Sequence, residues 1–333
     1  MIDTSEIDRK RNQGGAAEVG SKEDGAILEM QKIGERLFVI KERSIYEFIM
    51  ADDIDPERTN IHLPNNMHKR IINQGVESEI VSRIFITAKT LFKQNLFDNK
   101  IFTDNALLLS LELLQELAIL QDEIQSYLKK EENVIQEYYS KIGSPIIPAV
   151  EHLQTNCKTI FQKAYQIEQI LIDLVVIFYP NEKGLNKQSH FPKLYEFIKD
   201  KYGENDSFAQ FIKSTLGFMK ILIETRNGLD HRLNTVNVEN FELLPDGNLY
   251  SPTIALSYKD VKLERESLNS LLPTVEINLI AIFENISAYL CSKNAIPGMM
   301  EFRIVEIPED KRRNKFVKYC FWSPMGEGGY YDQ

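Results

Sequence analysis

Apolar residues recur at helical spacing over long segments in the second half of the chain. Residues 149–179 place an apolar side chain at every third or fourth position. The stripe consists of Leu153, Cys157, Ile160, Ala164, Ile167, Leu171, Leu174 and Phe178, with Phe161 and Val175 widening it. A face this broad is typical of a helix in the core of a bundle, so we expect Leu171, Leu174 and Phe178 to be buried there.

A second apolar face occupies residues 207–227, where Asn205-Asp206-Ser207 supplies an N-cap. Its members are Phe208, Phe211, Ile212, Thr215, Leu216, Met219, Leu222 and Ile223, of which Leu216 and Met219 are expected in the core. Arg226 takes the next position of the same stripe. A guanidinium in register with an apolar face needs a partner or a cleft, because an unpaired buried charge is costly. A further helix is predicted over residues 271–291, with Ile282 in the core.

Helical spacing also predicts two helices in the first half, over residues 76–97 and 105–142. Before them, a short helix is expected over residues 26–33. Alternation favours two strands, 37–39 and 45–49, although a helix fits that stretch almost as well. A loop with two prolines and several Asp and His residues follows these strands. Asx residues cap and turn more often than they bind metal, so no metal site is expected.

These elements predict a mainly α fold in four parts. Residues 1–25 are polar and small and form a disordered tail. Residues 26–142 form a mostly helical N-terminal domain with minor β structure. A break with two prolines then leads to residues 143–295, a four-helix bundle with a β-hairpin inserted at Pro-Asp-Gly-Asn before its last helix. Residues 296–333 form a C-terminal β-hairpin extension.

The composition is that of an ordinary soluble protein. With 333 residues, of which 43% are hydrophobic and 26% charged, the chain is long enough to bury a substantial core. It has neither a run of 18 apolar residues nor an apolar leader, so we expect a cytoplasmic protein without membrane contact. Cys157, Cys291 and Cys320 lack the spacing of a disulfide framework or zinc ribbon. No glycine-rich phosphate loop precedes a helix, and no cofactor is expected.

A basic patch lies in the predicted C-terminal hairpin. The formal charge of -10 disfavours a protein that coats nucleic acid along its whole surface, but a local patch is compatible with it. Arg312, Arg313, Lys315 and Lys318 alternate with aromatic residues there. Cations suit phosphates and aromatic rings stack on bases, so these four are candidate RNA-binding residues. The alternative is a hairpin whose polar face is merely solvated.

The second apolar face ends in Glu-Thr-Arg-Asn-Gly-Leu-Asp-His-Arg, which separates Arg226 from His231 by four residues. Metal-free RNA cleavage requires deprotonation of the 2′-hydroxyl, protonation of the leaving 5′-oxygen and stabilisation of the phosphorane charge. A histidine and a permanently charged guanidinium suit those roles. Five residues of ideal helix separate the two by about 140° and roughly 7.5 Å of rise. One copy converges poorly on a phosphate, so we expect two copies around a two-fold axis.

A helical bundle with Arg-Asn-x-x-x-His at the end of a long core helix resembles the HEPN superfamily. Its ribonucleases carry Arg-x4-6-His, frequently with a polar residue after the arginine. The matching residues are Arg226, Asn227 and His231, and the resemblance covers roughly residues 144–295. It implies metal-independent RNA cleavage by a homodimer in toxin-antitoxin or antiviral defence systems, with RNA and an antitoxin or defence-system protein as partners. Gly228 inside the motif is a departure, because a glycine there can end the helix.

Two alternatives stay open for these residues. Arg226 can pair with a carboxylate inside the fold while His231 caps a helix terminus. The candidate carboxylates are Glu168, Asp173, Glu224 and Asp230. In the second alternative, the bundle is a catalytically inactive HEPN-like module that binds RNA, a nucleotide or a protein partner.

Overall fold

The computed structural model describes residues 4–13, 17–141, 145–297, 302–325 and 328–333. The chain is 50% helical and 19% strand. Its helices are α1 (Thr4–Arg11), α2 (Ala51–Ile54), α3 (Glu79–Val81), α4 (Thr87–Leu91), α5 (Thr103–Ser140), α6 (Leu153–Phe178), α7 (Phe191–Tyr202), α8 (Ser207–Asp230) and α9 (Leu268–Asn294). Its strands are β1 (Ile27–Ile33), β2 (Arg36–Lys41), β3 (Ile45–Met50), β4 (Asn66–Ile72), β5 (Val236–Glu239), β6 (Glu242–Leu243), β7 (Leu249–Tyr250), β8 (Thr253–Tyr258), β9 (Val261–Ser267), β10 (Arg303–Glu306), β11 (Tyr319–Ser323) and β12 (Tyr330–Asp332).

A four-stranded antiparallel sheet, in the order β1-β2-β3-β4, begins the fold. Three smaller sheets, β5-β8-β9, β6-β7 and β10-β11-β12, follow it. The expected mainly α class, with a mostly helical N-terminal domain, is therefore wrong. The two strands expected near residues 37–39 and 45–49 are β2 and β3, but the helix expected over residues 26–33 is strand β1. Leu, Glu, Met, Gln and Lys favour a helix there, and pairing with β2 overrides that preference.

The described part of the expected disordered tail is folded. Residues 4–11 form α1, in which Ile7 is buried. Arg11 pairs with Asp52 at 3.3 Å and with Asp55 at 3.2 Å. Val19 is also buried, against the outer face of the N-terminal sheet. Ion pairs to α2 and to Asp55, the residue directly after it, thus add to the anchoring by the few apolar residues of this stretch.

The helical layer is built on α6, which packs against α5, α8 and α9, while α7 packs on α8. The apolar stripe predicted on α6 is buried along its whole length. Met219 of α8 and Ile282 of α9 are buried as expected, and Leu216 is partly buried against the same core. The helix expected over residues 76–97 is shorter, since it begins at Glu79 and ends at Leu91. It consists of α3 and α4, which are joined by a π-helical turn, Ser82–Ile86.

One hydrophobic core extends across the residue-143 boundary. The core cluster runs from Ile33 of the first sheet through α5, α6, α8 and α9 to Phe321 of the last sheet. Helix α5, assigned from the sequence to the N-terminal domain, packs along α6 of the bundle. The described residues on either side of the predicted boundary therefore share a core.

Between α8 and α9, the predicted hairpin is confirmed as β6 and β7, which pair Leu243 with Leu249. A second hairpin, β8–β9, turns at Lys259, whose φ of 51° lies in the left-handed region, and it packs with β5 against α8. The C-terminal hairpin is confirmed as β10 and β11, to which β12 adds a third strand.

Helix α9 is the one described helix long and apolar enough to cross a membrane. Within its most apolar window, 61% is buried inside the fold. This burial is that of a core helix.

Candidate functional site

Helix α8 delivers the Arg-Asn-x-x-x-His motif to the surface. Asp206 caps its start by accepting a hydrogen bond from the N–H of Phe208 at 3.0 Å. Arg226 lies on the face that packs towards α6, and 23% of its side chain is exposed. His231 directly follows the helix and is exposed, and its backbone N–H donates to the carbonyl of Asn227 at 3.0 Å.

The Arg226 guanidinium is held in one orientation by four neighbours. Its Nε donates to Oε1 of Gln162 at 2.8 Å, and its Nη1 donates to Oδ1 of Asn227 at 3.1 Å. Its plane lies over the ring of Tyr165, with Cζ 4.7 Å from the ring centre. Its Nη2 is 3.6 Å from Oδ2 of Asp230, an ion-pair distance too long for a hydrogen bond.

Asp230 is shared between two cations. Lys158 of α6 approaches its Oδ1 to 2.7 Å, whereas Arg226 faces its Oδ2. The hydrogen bond from Lys158 lowers the pKa of Asp230, with smaller contributions from the charges of Arg226 and His231. Of the four carboxylates considered as partners for Arg226, the structure places Asp230 beside it, while Glu168 faces His190 and Asp173 faces Lys187.

Gly228 does not end the helix. Helix α8 continues to Asp230, and the carbonyl of Gly228 accepts the N–H of Leu233 at 2.9 Å. A Cβ at this position would lie 2.3 Å from Cγ2 of Val236, so the missing side chain lets β5 approach the helix closely. The glycine therefore positions the motif against the inserted sheet.

A second histidine, which the sequence reasoning missed, lies beside Tyr165. The rings of Tyr165 and His190 have centres 5.9 Å apart at an angle of 48°. His190 Nδ1 is 3.2 Å from each carboxylate oxygen of Glu168, which is buried in α6. Desolvation raises the pKa of Glu168, and hydrogen bonds from Gln169 and His190 oppose that rise. The sequence signal is a glutamate inside the broad apolar face of α6, but its partner 22 residues later follows no helical spacing.

His190 opens into a cavity of about 260 Å³ between the start of α7, the middle of α8 and the β8–β9 turn. Charged side chains on its wall come from α8 and from the turn: Lys220, Glu224, Lys259 and Asp260. Lys220 pairs with Asp260 at 3.3 Å, and Lys259 lies over the ring of Tyr258. Two lysines, two carboxylates and a histidine thus line this small opening.

The four candidate RNA-binding residues differ in their surroundings. Arg312 donates through Nε to the carbonyl of Ile307 at 2.9 Å and pairs with Glu306, and 10% of its side chain is exposed. Lys318 pairs at 3.1 Å with Glu284, a buried residue of α9. Arg313 and Lys315 are exposed. The two exposed cations are therefore the ones available to a ligand.

A larger cleft, of about 900 Å³, lies between the first sheet, α5 and α6, and its lining includes none of the candidate catalytic or RNA-binding residues. Apolar side chains such as Phe102 and Val176 form part of its lining, and Lys69, Lys100 and Lys187 are among its charged residues. Among the described residues, no group of three or more His, Cys, Asp or Glu side chains is arranged to hold a metal ion. The three cysteines are free and buried, and burial raises the pKa of Cys157 to about 12.

Comparison of the chain with protein-family models, with curated proteins and with solved structures gives no match. The likeness to the HEPN superfamily therefore depends on the motif and its helical setting.

Proposed function

We propose that this protein is a metal-independent endoribonuclease of HEPN type that acts as a toxin or defence effector. Arg226 binds the scissile phosphate and stabilises the charge that develops on it, His231 transfers a proton, and Asn227 orients Arg226. The observation that carries the proposal is the Arg226 guanidinium, fixed by Gln162 and Asn227 at the end of α8 near the exposed His231.

The contacts of Arg226 are those of a guanidinium that is preorganised to bind an anion. Preorganised donors stabilise a developing negative charge without reorganising during the reaction. The Nε and Nη1 groups of Arg226 are occupied, whereas Nη2 faces Asp230 at the longer distance of 3.6 Å. Because Asp230 also has Lys158 as a partner, a phosphate can take its place beside Nη2 without leaving Asp230 unpaired.

The proposal includes a homodimer. Arg226 packs towards α6, whereas His231 is exposed just beyond the end of α8, so a two-fold pair of motifs brings more of these groups to one phosphate. RNA is the proposed substrate, and an antitoxin or another defence-system protein is the proposed regulator.

A second candidate function is a catalytically inactive HEPN-like module that binds RNA, a nucleotide or a protein partner. The observation that favours it is the number of intramolecular contacts of Arg226, which suit a structural arginine as well as a catalytic one. The two functions predict different effects of removing the Arg226 and His231 side chains on RNA cleavage and on stability.

The first prediction distinguishes the nuclease from the inactive binding module. Purified protein incubated with total RNA in EDTA should cleave it, and Arg226→Ala and His231→Ala should each abolish cleavage. His231→Ala should leave the melting temperature unchanged, because this side chain is exposed. Arg226→Ala should cost about 1–2 kcal/mol of unfolding free energy, since it removes two hydrogen bonds and a cation–π contact at a partly exposed site.

Arg9→Ala and His62→Ala serve as matched controls, because both side chains are exposed and lie outside the helical bundle. Sedimentation measurements on each variant show whether dimerisation persists. Wild-type protein that leaves RNA intact, together with a loss of 3 kcal/mol or more in Arg226→Ala, would replace the nuclease by the binding module.

A further inference from the structure

We propose that His190, held by Glu168, is the general base of the same RNA-cleaving site, and that it acts within one subunit together with Arg226. This inference rests on the proposed function. It assigns the first proton transfer to a residue outside the Arg-Asn-x-x-x-His motif.

The contact with Glu168 favours Nε2 of His190 as the base. The carboxylate faces Nδ1 at 3.2 Å and accepts the backbone N–H of Phe191 at 3.3 Å. An ionised carboxylate only accepts hydrogen bonds, so ionised Glu168 selects the neutral imidazole with its proton on Nδ1 and its lone pair on Nε2. The side-chain nitrogen of Gln169 lies 3.3 Å from the same Nδ1 and donates to Glu168. A buried acid behind a histidine also stabilises the imidazolium that forms when the histidine takes up a proton.

The imidazole is reachable from solvent, whereas its partner is not. About 40% of the His190 side chain is exposed, against 1% for Glu168. A purely structural role, in which Glu168 anchors the N-terminus of α7, accounts for the bond to Phe191. It does not account for an imidazole that borders an open cavity.

Charged groups from three elements face His190. Glu168 of α6 lies behind its Nδ1, Lys220 and Glu224 of α8 line the cavity, and the β8–β9 turn adds Lys259 and Asp260. Lys220 and Lys259 are cations that can contact the phosphates flanking the scissile one. Glu224 and Asp260 balance these two charges, so binding of RNA backbone in the cavity requires Lys220 to exchange Asp260 for a phosphate.

The ring of Tyr165 lies beside both His190 and Arg226. The guanidinium carbon lies 4.7 Å from the centre of the Tyr165 ring, and the imidazole centre lies 5.9 Å from it. The two functional groups are thus no more than about 11 Å apart. A catalytic group must lie within hydrogen-bond reach of the substrate atoms on which it acts. At this separation, one phosphodiester with its ribose can lie between the imidazole and the guanidinium.

The reaction consists of two proton transfers and one exchange of bonds at phosphorus. Nε2 of His190 takes the proton of the ribose 2′-hydroxyl, and the 2′-oxygen forms a bond to phosphorus. The bond from phosphorus to the 5′-oxygen breaks, and that oxygen takes a proton from protonated His231. The products are a 2′,3′-cyclic phosphate and a 5′-hydroxyl end.

The test compares His190→Asn with His190→Ala in EDTA. Asparagine keeps a donor towards Glu168, so the fold is retained, but it cannot accept the proton. Its kcat should fall by about 10²–10⁴-fold, with KM within about threefold of wild type. Loss of the base should also remove the decline in rate at low pH, and added imidazole should partly restore His190→Ala.

Glu168 is a positioning residue, and Glu168→Gln is its test. This variant should lower kcat and displace the acid limb of the pH–rate profile while the product ends stay the same. His62→Asn is the control histidine and should match wild type. Wild-type cleavage that persists in His190→Asn would overturn this inference and leave the proposed function standing, whereas wild-type protein that does not cleave RNA overturns both.

Discussion

Asp24 is the residue that holds the segment before β1 against the first sheet. Its carboxylate accepts the N–H of Ser21 at 2.7 Å and the hydroxyl of Tyr46 at 2.8 Å, and Arg70 lies 3.4 Å away. These interactions, with the Ser21 bond the strongest, lower the pKa of Asp24 to about 2. The ionised form is therefore favoured by folding.

Asp24→Asn should lower the unfolding free energy by about 1–2 kcal/mol at pH 7, allowing for the half-exposed Arg70. The folded pKa lies below the unfolded one, so the contribution is complete above about pH 4 and is lost as pH falls through about 2. Thermal melts of variant and wild type should accordingly converge between pH 4 and pH 2. The exposed Asp310→Asn is the control, and a difference that stays constant with pH would contradict the assignment.

Single residues also mark where sequence reasoning stops. The position of Arg226 on an apolar stripe predicted that it needs a partner, and the structure supplies Gln162 and Tyr165 from α6. Neither could be identified beforehand, because helical spacing relates residues three or four positions apart. The contact between Glu168 and His190 escaped prediction for the same reason.

At the scale of elements, Arg83 and Lys318 both contact Glu284 and so connect the π-helical turn, α9 and the C-terminal sheet. Arg83 lies in the π-helical turn between α3 and α4, and its Nε and Nη2 donate to the two oxygens of Glu284 on α9 at 2.9 and 2.6 Å. Lys318, beside β11, reaches the same carboxylate. Both Arg83 and Glu284 are buried, so the loss of one leaves a charge inside the fold.

Arg83→Ala should lower the unfolding free energy by about 3 kcal/mol, at the low end for a buried pair because Lys318 still contacts Glu284. Urea denaturation measures this change. Lys32→Ala removes an exposed pair with Glu35 and should cost under about 0.5 kcal/mol. Equal effects of the two substitutions would show that the buried network contributes no more than a surface pair.

Elements with a strong apolar period or a turn signal were predictable, and strands that have neither signal were not. The stripe of α6 identified that helix and its buried face, because the core faces one side of it. The β8–β9 hairpin turns at Lys259, a residue type without turn preference, so its sequence carries no Gly or Asn signal. The exposed apolar residues of β1, such as Leu28 and Met30, likewise gave no alternation that indicates a buried face.

At the scale of the whole molecule, RNA binding should depend on the exposed cations of the C-terminal sheet. Replacing both Arg313 and Lys315 by Ala should weaken RNA binding and reduce its salt-dependence slope by about two, one for each phosphate contact. The melting temperature should not change. Filter binding over a range of salt concentrations gives the slope.

Arg312→Ala is the informative comparison, because its contacts with Ile307 and Glu306 are within the fold. It should lower stability and leave the salt slope close to that of wild type. A slope that is unchanged in the Arg313 and Lys315 double variant would leave the C-terminal sheet with a structural role alone.

The pair formed by Arg83 and Glu284 joins residues 201 positions apart in the chain. A ribosome that adds about 5–20 residues per second synthesises Arg83 roughly 10–40 s before Glu284. During that interval the π-helical turn lacks the part of its cover, including the carboxylate that pairs with Arg83, that α9 will supply. The nascent chain therefore presents a binding surface for chaperones that the finished protein conceals, and the yield of folded protein depends on how that interval is bridged.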